Sequence, residues 1–166
     1  MSRFRRIESH SRFFFITCSA HTEVRPLDGP ELEILAKALS GVCQKVNVAL
    51  CGYCLLPDHW HAILLPHESA SICDVLVRIK TAITLGIART RAEHWPVWQA
   101  RFYDHILRTR REFEETLAYI HANPVTTGLV EEPLGWKWSS ARWFIDGTGP
   151  VEVDKVTLPL NAWDRI

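Results

Sequence analysis

Residues 55–66 read LLPDHWHAILLP. Pro57 and Asp58 are a turn signal, because proline presets a turn dihedral and aspartate can bond its own backbone there. The preceding run, VNVALCGYCLL (46–56), has strand character, and so does HWHAILL after the turn. Together they predict an antiparallel hairpin. Alternation along the second strand sends His59, His61, Ile63 and Leu65 to one face, and Trp60, Ala62 and Leu64 to the other. Two imidazoles therefore stand side by side where packing alone would favour valine or leucine.

Working outward, RFFFITCSA (12–20) is short and rich in aromatic and β-branched residues, which predicts a central strand. Leu32, Leu35, Ala36, Leu39 and Val42 then follow helical spacing, and Asp28, Pro30 and Glu31 supply a helix start. A second helix is expected from Ser71, with Ser71 and Asp74 as a capping box. Ile72, Val75, Leu76, Ile79, Ile83 and Ile87 are its apolar stripe, and Arg91 lies near its end. FYDHILR (102–108) reads as a short strand. EFEETLAYIHAN (112–123) reads as a helix stopped by Pro124, since the residue before a proline is disfavoured in the α region. The order strand, helix, strand, strand, helix, strand, helix predicts an α+β fold, a ferredoxin-like antiparallel sheet with helices packed on it. The expected division is a catalytic domain of residues 1–128 and a tail of residues 129–166 packed on it. Trp136, Trp138, Trp143 and Trp163 make this tail Trp-rich.

The chain has 166 residues, 47% of them hydrophobic, enough for one domain with a substantial core. Lysine plus arginine balances aspartate plus glutamate at 19 each, so net charge announces no nucleic-acid partner, although local arginine clusters leave basic patches open. Five cysteines and a start without an apolar signal core predict a reducing, cytoplasmic setting, with Cys51 and Cys54 as buried thiols. No apolar run approaches the roughly 20 residues of a membrane span.

Imidazoles placed like His59 and His61 can hold one cation and leave most of its coordination sphere for phosphate oxygens. A hydrogen-bonded structural pair, or an exposed sheet face, has the same spacing. The third helix adds Tyr119 and Asn123, one turn apart on one face. Tyr53 and Tyr103 fall in strand segments, where a core or cross-strand pairing role is expected.

DHWH within LPDHWHAIL, then WQARFYDHILR, YIHANPVTTGLV and WKWSSARWF, in that order, resemble the REP-associated tyrosine transposases, a branch of the single-tyrosine HUH transposases. The resemblance covers nearly the whole chain. It implies the HUH endonuclease fold, with His59 and His61 as metal ligands around Trp60, Tyr119 as the nucleophile, and a single-stranded or palindromic hairpin DNA substrate. It also implies that Asn123 completes the metal site where relatives often carry glutamine, with His105 and His121 in reserve.

A phenol with a pKa of about 10 is ionised in roughly one molecule per thousand at neutral pH, so such a nucleophile needs help. A divalent cation on the scissile phosphate supplies it, and imidazole, amide and phosphate ligands suit Mg²⁺ or Mn²⁺ better than permanent zinc. The expected product is a 5′-phosphotyrosine and a free 3′-OH. The expected phosphate contacts are Arg3, Arg5, Arg6, Arg78, Lys80, Arg89, Arg101, Arg108, Arg110 and Arg111. A nicking relaxase or replication initiator, a non-catalytic hairpin-binding regulator and a water-using metal hydrolase stay open as alternatives. The protein is expected to act as a monomer or homodimer.

Overall fold

The computed structural model describes residues 4–6, 12–67, 70–91 and 96–157, with the backbone alone at 4–6 and 157. Arg3 and Trp163 lie outside the described residues, as do the side chains of Arg5 and Arg6. In chain order the elements are β1 (Phe4–Arg6), β2 (Phe13–Ser19), α1 (Gly29–Lys45), β3 (Val48–Leu55), β4 (His59–Pro66), α2 (Ile72–Ala88) and β5 (Tyr103–Leu107). After these come α3 (Arg110–Thr126), a 3-10 turn at Pro133–Gly135, α4 (Ala141–Asp146) and β6 (Lys155–Thr157).

Strands β2 to β5 form an antiparallel sheet in the order β3-β4-β2-β5. With α1 and α2 as crossovers, this is the ferredoxin-like arrangement expected from the order of elements. The hairpin forms as expected around Pro57 and Asp58. A short parallel pairing of β1 with β6, which the pattern did not foreshadow, forms a second, two-stranded sheet.

Each sheet face carries its own core. Ile16, Cys18, Leu50, Tyr53, Trp60, Ala62 and Leu64 pack against Leu32, Leu35 and Leu39 of α1 and Val75, Leu76, Ile79 and Ile83 of α2. Phe13, Cys51, Cys54, Ile63, Leu65 and Leu107 form the other core with Ile120 of α3, and Leu117 packs on it. Tyr119 therefore rides on the helix that covers the histidine face. Helix α3 sits close to the sheet where β3 has an irregularity between Leu50 and Gly52. A Cβ at Gly52 would lie 2.5 Å from Leu117 Cδ1, so the glycine makes room for that leucine.

The tail seals the outer edge of β3. Leu55 N–H donates to the Trp138 carbonyl at 2.8 Å, Tyr53 N–H donates to Ser140 Oγ at 2.9 Å, and Leu50 N–H donates to Asp154 Oδ2 at 2.9 Å. These bonds satisfy donors that an edge strand would otherwise leave open to pairing with another chain. Cys51 and Cys54 are buried thiols outside any disulfide, and burial raises the Cys54 pKa.

Three local expectations need correction. Helix α3 runs through Pro124 to Thr126. The proline forfeits a single donor in the last turn, and Thr127 N–H to the Asn123 carbonyl and Leu129 N–H to the Pro124 carbonyl, both 2.9 Å, carry the ladder past it. Ser71 is the N-cap of α2, but its side chain makes no capping bond; the buried apolar stripe holds that helix. Helix α2 ends at Ala88, short of Arg91.

The Asp28–Glu31 capping box of α1 is present. The Glu31 carboxylate also accepts from Arg25 and, across the fold, from Arg91 Nε and Nη2. Burial pushes the Glu31 pKa up, but the bonds from Arg91 and the Asp28 amide and the charges of Arg91 and Arg25 outweigh it and hold it below the ordinary carboxylate value. Glu31→Ala deprives a guanidinium only 11% exposed of its carboxylate, and is expected to cost about 3–5 kcal/mol in urea unfolding near neutral pH. A depressed folded pKa means stability that is present above the unfolded pKa and lost as pH falls through the folded one. The deficit of the variant should therefore shrink in strong acid; a deficit independent of pH would refute the ion-pair account.

Candidate active site

His61 is buried on the α3 face, and the register sets Thr17 directly across from it. Its Nδ1 lies 2.8 Å from Thr17 Oγ1, and its Nε2 lies 3.2 Å from Asn123 Nδ2. An amide nitrogen donates, so in this arrangement Nε2 accepts and Nδ1–H donates to the threonine. Burial, with His59 adding to it against an opposing pull from Asp58, pushes the His61 pKa down to about 3. The ring therefore stays neutral, as a metal ligand must. His59 Nδ1 lies 2.7 Å from Asp58 Oδ1; Nδ1–H donates to the carboxylate and leaves Nε2 as the lone-pair nitrogen. The two imidazoles are 4.8 Å apart between ring centroids. Trp60, fully buried on the opposite face, packs edge to face with Trp98 and anchors the strand from behind.

Tyr119 is 54% exposed, and its ring centroid is 5.6 Å from that of His61 and 6.1 Å from that of Phe15. Phe15 also stacks on His61 at 5.5 Å. One turn beyond Tyr119, Asn123 is buried, and its Oδ1 has no hydrogen-bond partner. Four residues singled out in the sequence, His59, His61, Tyr119 and Asn123, thus meet at one place. Thr17 and Phe15 were not foreseen. The signal was available, since alternation in β2 puts Phe13, Phe15 and Thr17 on one face and leaves the threonine as a hydroxyl among aromatic rings.

The donor set fits a divalent cation. A buried amide oxygen without a partner is costly, and half a turn of the Asn123 amide would set that oxygen where Nδ2 now is, 3.2 Å from His61 Nε2. Two acceptors that close repel unless a cation lies between them, and adjacent ligands of an octahedral Mg²⁺ are about 3 Å apart. Among the described residues no three His, Cys, Asp or Glu side chains converge, so the candidate set is two imidazoles and an amide. The reserve histidines lie elsewhere. His121 Nε2 is 2.8 Å from Ser140 Oγ, which ties α3 to the tail, and His105 is exposed on β5.

The basic residues scatter. Arg110 and Arg111 are exposed on α3 and paired with Glu114 and Glu115, and Arg101 and Arg108 flank β5 in the open. Arg78 and Arg89 are exposed on or beside α2, a helix that packs on the opposite face of the sheet. Lys80, expected as a phosphate contact, has its ammonium engaged by the Gln99 and Ala100 carbonyls, at 2.5 and 3.2 Å, and so pins the loop before β5. Of the two roles expected for Tyr103, the structure keeps the cross-strand one: it is 56% exposed and takes no part in the core, but it pairs with Thr17 across β2 and β5. No helix of the described residues is long and apolar enough to cross a membrane.

Comparison with known proteins gives this geometry its context. A REP-associated tyrosine transposase from Escherichia coli K12 is 25% identical over 168 residues, covering 100% of this chain and 99% of its own. A Haemophilus influenzae protein provisionally given the same name is 25% identical over 150 residues, covering 84% of this chain and 85% of its own. The fold matches that of a REP-associated tyrosine transposase solved bound to a REP hairpin, with a TM-score of 0.72 and 24% identity over 100% of this chain and 99% of that one. Residues 12–123, from the start of β2 to Asn123 and more than half of the chain, match the family described as Transposase IS200 like. The chain therefore belongs to the IS200-like transposase family.

Proposed function

We propose that this protein is a metal-dependent single-strand DNA endonuclease and transesterase acting on palindromic hairpin DNA, with Tyr119 as the nucleophile. The observation that carries the reading is the meeting of a half-exposed tyrosine with a neutral buried histidine whose Nε2 faces Asn123, one turn further along the same helix. His59, His61 and Asn123 would hold Mg²⁺ or Mn²⁺, which when bound neutralises charge developing on the scissile phosphate.

The phenolic oxygen of Tyr119 bonds to phosphorus while the bond from phosphorus to the 3′ oxygen breaks. The phenol proton passes to solvent, and the departing 3′ oxygen takes up a proton. The 5′ side stays attached as a phosphotyrosine, a phosphodiester that another 3′-OH can attack in reverse without ATP. Phe15 buttresses the Tyr119 and His61 rings, and Thr17 holds the His61 tautomer that presents a lone pair at Nε2. The exposed Arg101, Arg108, Arg110 and Arg111 offer phosphate contacts, because surface pairs such as Arg110–Glu114 contribute only about 0.3–0.5 kcal/mol and exchange readily for DNA. The reading takes residues 1–128 as the catalytic unit and 129–166 as the tail.

The experiment is incubation of the wild-type protein with labelled single-stranded hairpin DNA and Mn²⁺. An SDS-resistant adduct is expected, lost with a chelator, with peptide mapping placing the phosphate on residue 119. Cleavage without an adduct would replace this reading with water-dependent hydrolysis, and binding without cleavage would replace it with a regulator.

A further inference from the structure

The side chain least accounted for beside the site is Tyr103. It pairs with Thr17 across the β2–β5 ladder, and directly paired residues share a face, so it projects on the face where Thr17 holds His61. Phe15 stands between the two tyrosines, 6.0 Å from the Tyr103 ring and 6.1 Å from the Tyr119 ring, both edge to face. His105, paired with Phe15, is exposed on the same face, and Arg101, two residues before Tyr103, is exposed as well. Tyr103 and His105 are both exposed, so this row is open to solvent beside the nucleophile.

A single exposed tyrosine on an edge strand is ordinary. A tyrosine separated from the nucleophile by one shared ring, with an exposed arginine two residues before it and an exposed histidine two residues after it, has the makings of a single-strand track. An aromatic face accepts any base, and a nearby cation takes the phosphate. We propose that the site face of β5 is a base-stacking subsite, with Tyr103 as its platform, for a nucleobase of the single strand next to the scissile phosphate. The proposal rests on the reading of Tyr119 given above and adds the side on which the strand runs: from the phosphate at Tyr119, across Phe15, toward β5. Tyr103 touches the substrate away from the reacting atoms and positions it there.

The test uses oligothymidylate carrying one 5-bromodeoxyuridine, since stacking is tolerant of sequence. Photo-crosslinking is expected to map to Tyr103. Tyr103→Ala should weaken binding of the oligonucleotide roughly 5- to 150-fold, the range that corresponds to one lost stack, while Tyr103→Phe keeps it within about twofold of wild type. Thermal melting of both variants should match wild type, as the side chain is exposed. Alanine binding as well as wild type, phenylalanine binding as poorly as alanine, or a wild type that does not bind the oligonucleotide would each overturn the subsite. These outcomes separate from those of the adduct assay. Ring-dependent binding in a protein that forms no adduct would leave the subsite standing and the nucleophile wrong, whereas a normal adduct with binding indifferent to residue 103 would do the reverse.

Discussion

Tyr119→Phe is expected to bind hairpin DNA within about threefold of wild type and to form no covalent adduct with it. The substitution removes one oxygen and keeps the ring, so the edge contacts with Phe15 and His61 survive. The hydroxyl sits on a residue 54% exposed, so its loss should change stability by less than about 0.5 kcal/mol. Removing a nucleophile cannot be offset by the rest of the site, because no bond to phosphorus can then form. Single-strand binding through phosphate contacts and base stacking would not depend on that oxygen. Gel analysis under denaturing conditions, beside a filter-binding titration, reads both halves. Strand cleavage at an undiminished rate in the variant would identify water as the attacking group, and with it a different class of enzyme.

For His61→Ala, the rate of adduct formation should fall at least about 100-fold at low Mn²⁺ and recover in part when Mn²⁺ is raised. A ligand deletion weakens the hold on the ion, and mass action restores some occupancy, while charge stabilisation at the phosphate is typically worth factors of this size. The variant also loses bonds to Thr17 and Asn123 and leaves a cavity in a buried site, so some stability must go with it. Melting curves, and the same assay on His59→Ala, separate the two effects. His59 lies nearer the surface and contacts the Asp58 side chain, so its removal should reproduce the Mn²⁺ dependence with less destabilisation. A folded His61→Ala protein with the wild-type rate would dissolve the metal assignment.

Much of this site was legible because it depends on short-range periodicity. A strand turns its side chains over every residue, so the HWH order was enough to place both imidazoles on one face and Trp60 on the other, as the two cores show. A helix returns a residue to the same side after one turn, so Tyr119 and Asn123 could be paired at sight, and the Asp28–Glu31 box was readable from four adjacent residues. The error at Pro124 has the same origin. The local rule is sound for a helix interior, but here the proline falls in a last turn whose remaining carbonyls find other donors.

What the chain order could not disclose depends on residues far apart in sequence. The Arg91 partner of Glu31 is 60 positions away, the Thr17 partner of His61 is 44, and the seal on β3 comes from residues about 80 to 100 positions downstream. Lys80 and Arg110 are alike in sequence as basic residues, yet one is used by loop carbonyls and the other pairs with Glu114 on the helix that carries Tyr119. Tyr103 and Tyr53 are alike as tyrosines of end strands, yet one ring stays exposed while the helix-covered core and the tail close over the other. By itself the sequence determined which side chains share a face, because backbone geometry repeats every two or 3.6 residues. Which faces meet, and which polar groups are consumed when they do, was decided by tertiary structure alone, because burial and hydrogen bonding are settled between segments that the chain keeps apart.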